Sequence, residues 1–186
     1  LLIDQLEKKK SKIIYISPLK SIISDLFENL NKIVSDLNIK IRVGKRTGDD
    51  SYIYKKKQIE NPEEILLTTP ESLALMITRK EVDHIFKSTT YLAIDELNEI
   101  INTKRGDQLA LAISQIINVN KKIRIVASST NIQNFKYLSN WVSFKKKTKI
   151  ITNKFLKKIK VDILVLKNMP DAVSYTHLRA HETVSH

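Results

Sequence analysis

Two short stretches carry residue types suited to phosphate chemistry. The acidic pair Asp95 and Glu96 stands directly behind an apolar run, in YLAIDE. At such a position the first carboxylate can hold a hydrated magnesium ion, and the second can accept a proton from a water that attacks a terminal phosphate. Asp95 is equally placed to cap a following helix, so the pair alone does not decide between the two uses. Farther on, Ser128, Ser129 and Thr130 place three hydroxyls behind another apolar run. Polar or turn-forming residues also follow three earlier runs, as Ser17-Pro18-Leu19-Lys20, Arg46-Thr47-Gly48-Asp49 and Thr68-Thr69-Pro70-Glu71. Hydroxyls, a lysine and the amides of a helix opening at Pro70 can donate to phosphate oxygens without reading bases. Glu71 cannot attract phosphate by charge, so it is expected to orient neighbours or cap that helix.

For these residues to meet, short strands must alternate with helices so that all the loops fall at one end of a parallel sheet. The β-branched runs Ile13 to Ser17, Lys40 to Val43, Ile65 to Thr68, Tyr91 to Asp95 and Ile123 to Ser128 predict five strands. Between the first two, Ile22, Ile23, Leu26, Phe27, Leu30, Ile33, Val34 and Leu37 form one helical stripe, read as core. A second long helix is predicted from Asp107, whose carboxylate can cap it, through Leu109, Leu111, Ile113, Ile116 and Ile117. Shorter helices are predicted over 70–77 and 133–141, the latter seating Phe135, Leu138 and Trp141 on the sheet. His84, between Val82 and Ile85, reads as a structural residue. Leu1, Leu2, Ile3 and Leu6 read as a helix already under way, so the chain is expected to begin inside a longer product.

Composition narrows the partners. Among 186 residues, Lys+Arg 32 against Asp+Glu 20 gives a formal net charge of +12, which favours a polyanion such as nucleic acid, with a solvated lysine surface as the alternative. Cysteine is absent, which excludes a disulfide framework, a zinc knuckle and thiol chemistry, and fits a reducing, cytoplasmic setting. No apolar run approaches bilayer length, so no membrane partner is expected. The 3 glycines, Gly44, Gly48 and Gly106, are too widely spaced to form a glycine-rich phosphate loop. Between Lys145 and Lys160 eight lysines stand without an Asp or Glu, followed by the alternating Ile159, Val161, Ile163 and Val165 of an expected bridging strand. The last segment, VSYTHLRAHETVSH, has no apolar period. It resembles translated adapter sequence, with a disordered tail as the biological alternative and a metal site at His177 and His181 a distant third.

In order, ISPLK at 16–20, RTGD at 46–49, TTPESL at 68–73, DELNE at 95–99, TKRGDQL at 103–109 and SST at 128–130 resemble a superfamily 2 helicase. The closest likeness is to the large helicase-related, or Lhr-type, DExH group, over roughly residues 1 to 166. The resemblance implies an α/β fold: a RecA-like three-layer domain with a mostly parallel sheet, whose phosphate-loop strand would precede Leu1. It implies ATP and Mg2+ as cofactors, nucleic acid as partner (single-stranded DNA ahead of RNA), and a second RecA-like domain of the same protein. Asp95 would coordinate the metal and Glu96 would polarise the attacking water. Asn98 stands where the family usually has His, and would couple hydrolysis to strand movement together with Ser128, Ser129 and Thr130. Asn keeps hydrogen-bonding capacity but carries no proton. Pro18, Lys20, Thr47, Gly48, Asp49, Thr69, Pro70 and Glu71 would grip the sugar-phosphate backbone, joined by Lys104 and Arg105, whose alternative is an ordinary basic loop. The implied organisation is a partial ATP-binding domain at 1–144, a basic linker with its bridging strand at 145–170, and a disordered or artefactual tail at 171–186. The implied function is an ATP-dependent helicase when whole, the piece alone being inactive; the alternative is a non-catalytic nucleic-acid-binding remnant of a degraded helicase gene. A flavodoxin-like or receiver-type module shares the doubly wound arrangement but does not account for TTPESL or SST.

Overall fold

The structure, a computed structural model, describes residues 12–130, 134–143 and 148–152. Its elements run β1 (Lys12–Ile16), α1 (Lys20–Asp36), β2 (Val43–Arg46), α2 (Tyr52–Glu60), β3 (Ile65–Thr68) and α3 (Pro70–Ile77). A 3₁₀ turn (Lys80–Val82) then leads to α4 (Asp83–Ser88), β4 (Thr89–Ile94), α5 (Leu97–Ile100), α6 (Lys104–Val119), β5 (Arg124–Ala127) and α7 (Phe135–Ser143). The strands form one sheet in the order β2-β3-β1-β4-β5, and every pairing among them is parallel.

Alternation along the strands produces the layers. Ile14 and Ile16 of β1 and Leu66 of β3 enter a core with Leu73, Met76, Phe86, Leu109 and Ile113 from the helices. Tyr15 of β1, with Ile65 and Leu67 of β3, faces the opposite side and packs with Ile23, Leu26 and Phe27 of α1. Because both faces are covered, the central strands read as continuous apolar runs rather than as an alternating pattern.

The sequence expectations need three corrections. The second strand is Val43–Arg46, not Lys40 to Val43. It lies at the sheet edge, where a polar strand is tolerated, while Ile41 makes a local bond to the Ile39 carbonyl and packs beside the smaller core. The α1 stripe is core only in part, since Ile33 and Leu37 are 44% and 64% exposed. A helix of 17 residues spans about 25 Å, whereas a four-residue strand spans about 13 Å, so its last turn runs past the sheet. Helix α6 starts at Lys104, three residues before Asp107, because the Thr103 side chain accepts from the Gly106 amide and caps it. Gly106 itself is required by close approach, as a Cβ there would lie 2.4 Å from the Ile100 carbonyl oxygen.

Helix α3 has the predicted bounds, and Leu138 and Trp141 of α7 pack on the larger core. His84 Nε2 lies 3.0 Å from the Ile59 carbonyl. No helix among the described residues is long and apolar enough to cross a membrane. The bridging strand over 159–165, the tail and most of the 145–160 lysine run lie outside the described residues.

Candidate functional site

All five post-strand loops fall at the carboxyl end of the sheet, where they form two clusters. In the first, the side chains of Asp95, Glu96 and Asn98 meet Ser128, Ser129 and Thr130. Asp95 follows β4 directly and its amide donates to the Ile16 carbonyl at 2.8 Å, while the Ser128 amide donates to Ile94 at 2.9 Å and draws the end of β5 alongside. The Ser128 hydroxyl donates to Asp95 Oδ1 at 2.5 Å, and the Tyr15 hydroxyl, from β1, donates to Asp95 Oδ2 at 2.6 Å. The Thr130 hydroxyl donates to Glu96 Oε2 at 3.0 Å. Asn98 Oδ1 accepts both from the Ser129 hydroxyl at 2.9 Å and from the Thr130 amide at 3.1 Å.

Asp95 therefore does not cap the helix behind it. Glu96 holds the N-cap position of α5, in the left-handed region (φ 46°, ψ 52°), and its side chain makes no cap bond. A non-glycine residue in that region costs roughly 1–2 kcal/mol, and here the turn brings the Glu96 carboxylate to Thr130. Burial alone would raise the Asp95 carboxyl, yet the hydrogen bonds from Ser128 and Tyr15 outweigh it and hold the group below the usual aspartate range. Burial and the adjoining Asp95 carboxylate push the Tyr15 phenol well above its usual value. The site is thus a half-buried carboxylate kept ionised by neutral hydroxyl donors, with a second carboxylate on the next residue. Such a pair can attract a hard cation and accept a proton from water.

The second cluster joins the loops after β1, β2 and β3 to the first turn of α6. Lys20 Nζ donates to both Asp49 oxygens at 2.8 Å. The Arg105 guanidinium pairs with Glu71, and its Nη2 also donates to the Pro18 carbonyl at 2.8 Å. Burial would raise Glu71, but the Arg105 hydrogen bond helps hold it below the usual range; Asp49 is lowered by its hydrogen bond and charge attraction to Lys20. Thr69 Oγ1 accepts from the Ser72 amide and caps α3 behind Pro70, so the capping task falls to Thr69 and Glu71 serves to hold Arg105. The Thr47 amide and hydroxyl both donate to Asp50 Oδ2, and Gly48 offers its carbonyl to Lys55 Nζ at 3.1 Å. Lys104 is exposed beside Arg105, and it is Arg105 that reaches the loops.

The sequence reading missed two residues of these clusters. Tyr15 is the one ring in the apolar β1, and a hydroxyl on a half-buried strand needs a partner; its register with Ala93, two residues before Asp95, could have shown which. Asp50 was passed over for Asp49, although its three-residue spacing from Thr47 suits a closed loop.

Comparison with known proteins identifies the family. A family model described as DEAD/DEAH box helicase matches residues 1–138. The ATP-dependent helicase Lhr-Core of Saccharolobus solfataricus is 32% identical over 169 residues, which cover 86% of this chain and 19% of that protein. The Lhr helicase/uracil glycosylase of Escherichia coli is 36% identical over 120 residues, covering 59% of this chain and 8% of that one. Among solved structures, Mycobacterium smegmatis helicase Lhr bound to ssDNA and AMP-PNP aligns with a TM-score of 0.65 at 28% identity, covering 76% of this chain and 20% of that one. The chain thus spans a fifth or less of the length of each of these relatives. With five parallel strands in a RecA-like arrangement and a family match over most of its length, the chain belongs to the DEAD/DEAH box helicases and, within them, is Lhr-like.

Proposed function

We propose that this chain is the first RecA-like motor domain of an ATP-dependent nucleic-acid helicase, hydrolysing ATP at the DELN and SST cluster and gripping one strand with the loop cluster. The observation that carries the reading is the set of four hydrogen bonds by which Ser128, Ser129 and Thr130 donate to Asp95, Glu96 and Asn98. It links the residues that would face the γ-phosphate to the loop behind β5, so a change at one is felt at the other.

The residues suit a magnesium ion. Each Asp95 oxygen accepts one hydroxyl hydrogen bond and keeps a lone pair for a metal-bound water, and no three His, Cys, Asp or Glu side chains cluster among the described residues. That donor set matches the way Mg2+ is held in ATPase sites, by one or two carboxylates, waters and phosphates. Asp95 would hold the ion, which when bound neutralises charge on the transferring phosphoryl group. Glu96, steadied by Thr130, orients the attacking water and takes its proton. Asn98 transmits the state of the site through Ser129 and Thr130, a hydrogen-bonding task that needs no titrating group. On the other cluster Lys20, Lys104, the Thr47, Gly48 and Asp49 loop, and the α3 start at Thr69 and Pro70 face the strand's backbone. Glu71 keeps Arg105 and Pro18 in register. The Mycobacterium smegmatis relative, solved with ssDNA, supports single-stranded DNA as the strand. A second RecA-like domain of the same protein would close over the ATP.

The test is ATP hydrolysis by the full-length gene product with and without single-stranded DNA and RNA. We expect stimulation by the strand and a loss of about 100-fold or more for Glu96→Gln. Hydrolysis untouched by that change would sink the catalytic assignment. Strand binding without hydrolysis in the unaltered protein would instead favour the non-catalytic remnant, the reading to which Asn98 in place of His lends weight.

A further inference from the structure

Beyond the Gly48 loop a cleft of about 390 Å³ opens between the end of β2, the start of α2 and the outward side of α3. Its volume lies in the range that receives a small organic ligand. Three cations line it, Arg46, Lys55 and Arg79, against one carboxylate, Asp50, whose Oδ2 is already taken by the Thr47 amide and hydroxyl. Arg46 is only 5% exposed and is fixed by bonds from Nη1 to the Lys55 carbonyl at 3.0 Å and to Gln58 Oε1 at 3.3 Å. Burial, with the like charge of Arg79 nearby, holds its guanidinium below the usual arginine range. The same cleft carries two apolar side chains left in water, Tyr52 at 67% and Leu75 at 68% exposed. Cations beside an exposed ring are complementary to a nucleotide, whose phosphate and base need one of each.

We propose that this cleft is a nucleotide subsite on the strand path, seating one base against Tyr52 and Leu75 and its phosphate between Lys55 and Arg79. It continues the backbone grip of the Gly48 loop, whose carbonyl already accepts from Lys55. The inference rests on the reading of this chain as a strand-gripping helicase domain.

The test is fluorescence anisotropy of a labelled oligothymidylate titrated with the full-length gene product across a salt series. Tyr52→Ala is expected to weaken binding about fivefold or more, and Tyr52→Phe to keep it, because stacking needs the ring and not the hydroxyl. Arg79→Gln is expected to lower the slope of log affinity against log salt by about 0.7, the loss of one single-strand phosphate contact. Both positions are exposed, so the fold survives these changes. If Lys20→Ala weakens the complex while Tyr52→Ala and Arg79→Gln alter neither affinity nor slope, the cleft lies off the strand path. It would then be a seat for something else, such as an acidic protein segment, and the subsite is overturned with the helicase reading intact. If the unaltered protein binds no oligonucleotide, the helicase reading falls and the subsite with it.

Discussion

The two clusters at the carboxyl end of the sheet are held together by opposite means. Around Asp95 the partners are neutral hydroxyls from Tyr15 and Ser128, and around Glu96 the hydroxyl of Thr130. Hydrogen bonds of this kind fix geometry and favour ionisation without cancelling the charge, so the negative potential stays available to a cation. Around the loops of the second cluster, proposed above to face the strand, cation meets carboxylate, as Lys20 with Asp49 and Arg105 with Glu71. There the positive charge is already balanced, and a phosphate that takes Lys20 must compete with Asp49. On the proposed reading the first cluster receives a charge and the second exchanges one.

This contrast breaks most sharply at Asp95. Asp95→Asn keeps an acceptor for one hydroxyl and removes the charge, so phosphate release by the full-length protein should fall about 100-fold or more, with the thermal midpoint little changed. A large drop in stability with hydrolysis retained would mean that the carboxylate serves the fold. Arg105→Ala should show the converse. The pair with Glu71 is more than a third exposed on both sides, which places it with surface ion pairs, and the bond to the Pro18 carbonyl is lost with it. We expect a stability loss of about 1 kcal/mol, read as about 2–4 °C by thermal melting, and a weaker grip on the strand without loss of hydrolysis at saturating strand. Equal effects of both changes on both readouts would erase the distinction between the clusters.

How much of this was legible in the sequence follows the same division. The apolar central strands and α3 were readable because burial on both faces, and Thr69 capping directly ahead of a Pro, leave strong local marks. The motif residues were readable from their order. What was not legible depends on the neighbour across the sheet. The edge strand Val43–Arg46 is polar because only one side of it pairs, so its pattern resembled a loop. Helix α6 begins at Lys104 behind the Thr103 cap, and its first turn also needs Gly106 to admit the Ile100 carbonyl, a close approach with no local signature. Tyr15 sat in plain view as a strand aromatic, and its task is set by β4 lying one strand over. Likewise Tyr52 and Leu75, remote in sequence, share one cleft with Arg79 only through the fold.

The smallest expected effect tests the charge exchange itself. Asp49→Asn removes the competitor for Lys20 and leaves the lysine, so affinity for a single strand should rise, by about twofold, rather than fall. A loop in which Asp49 contacts the strand directly would give the opposite sign. The sign of the pH dependence can also be set. The pairing lowers the Asp49 pKa, so its contribution is complete above the ordinary aspartate value of about 3.9 and is lost as pH falls through the lower folded value. Between about pH 6 and 8 the carboxylate is fully ionised, and the ratio of affinities between Asp49→Asn and the unaltered protein should stay flat. That ratio should instead shrink toward one as salt rises, because both the ion pair and the phosphate contact are exposed and screened together. A gain that persists at high salt would place the origin of the effect in loop shape, and charge exchange would no longer describe the strand-facing cluster.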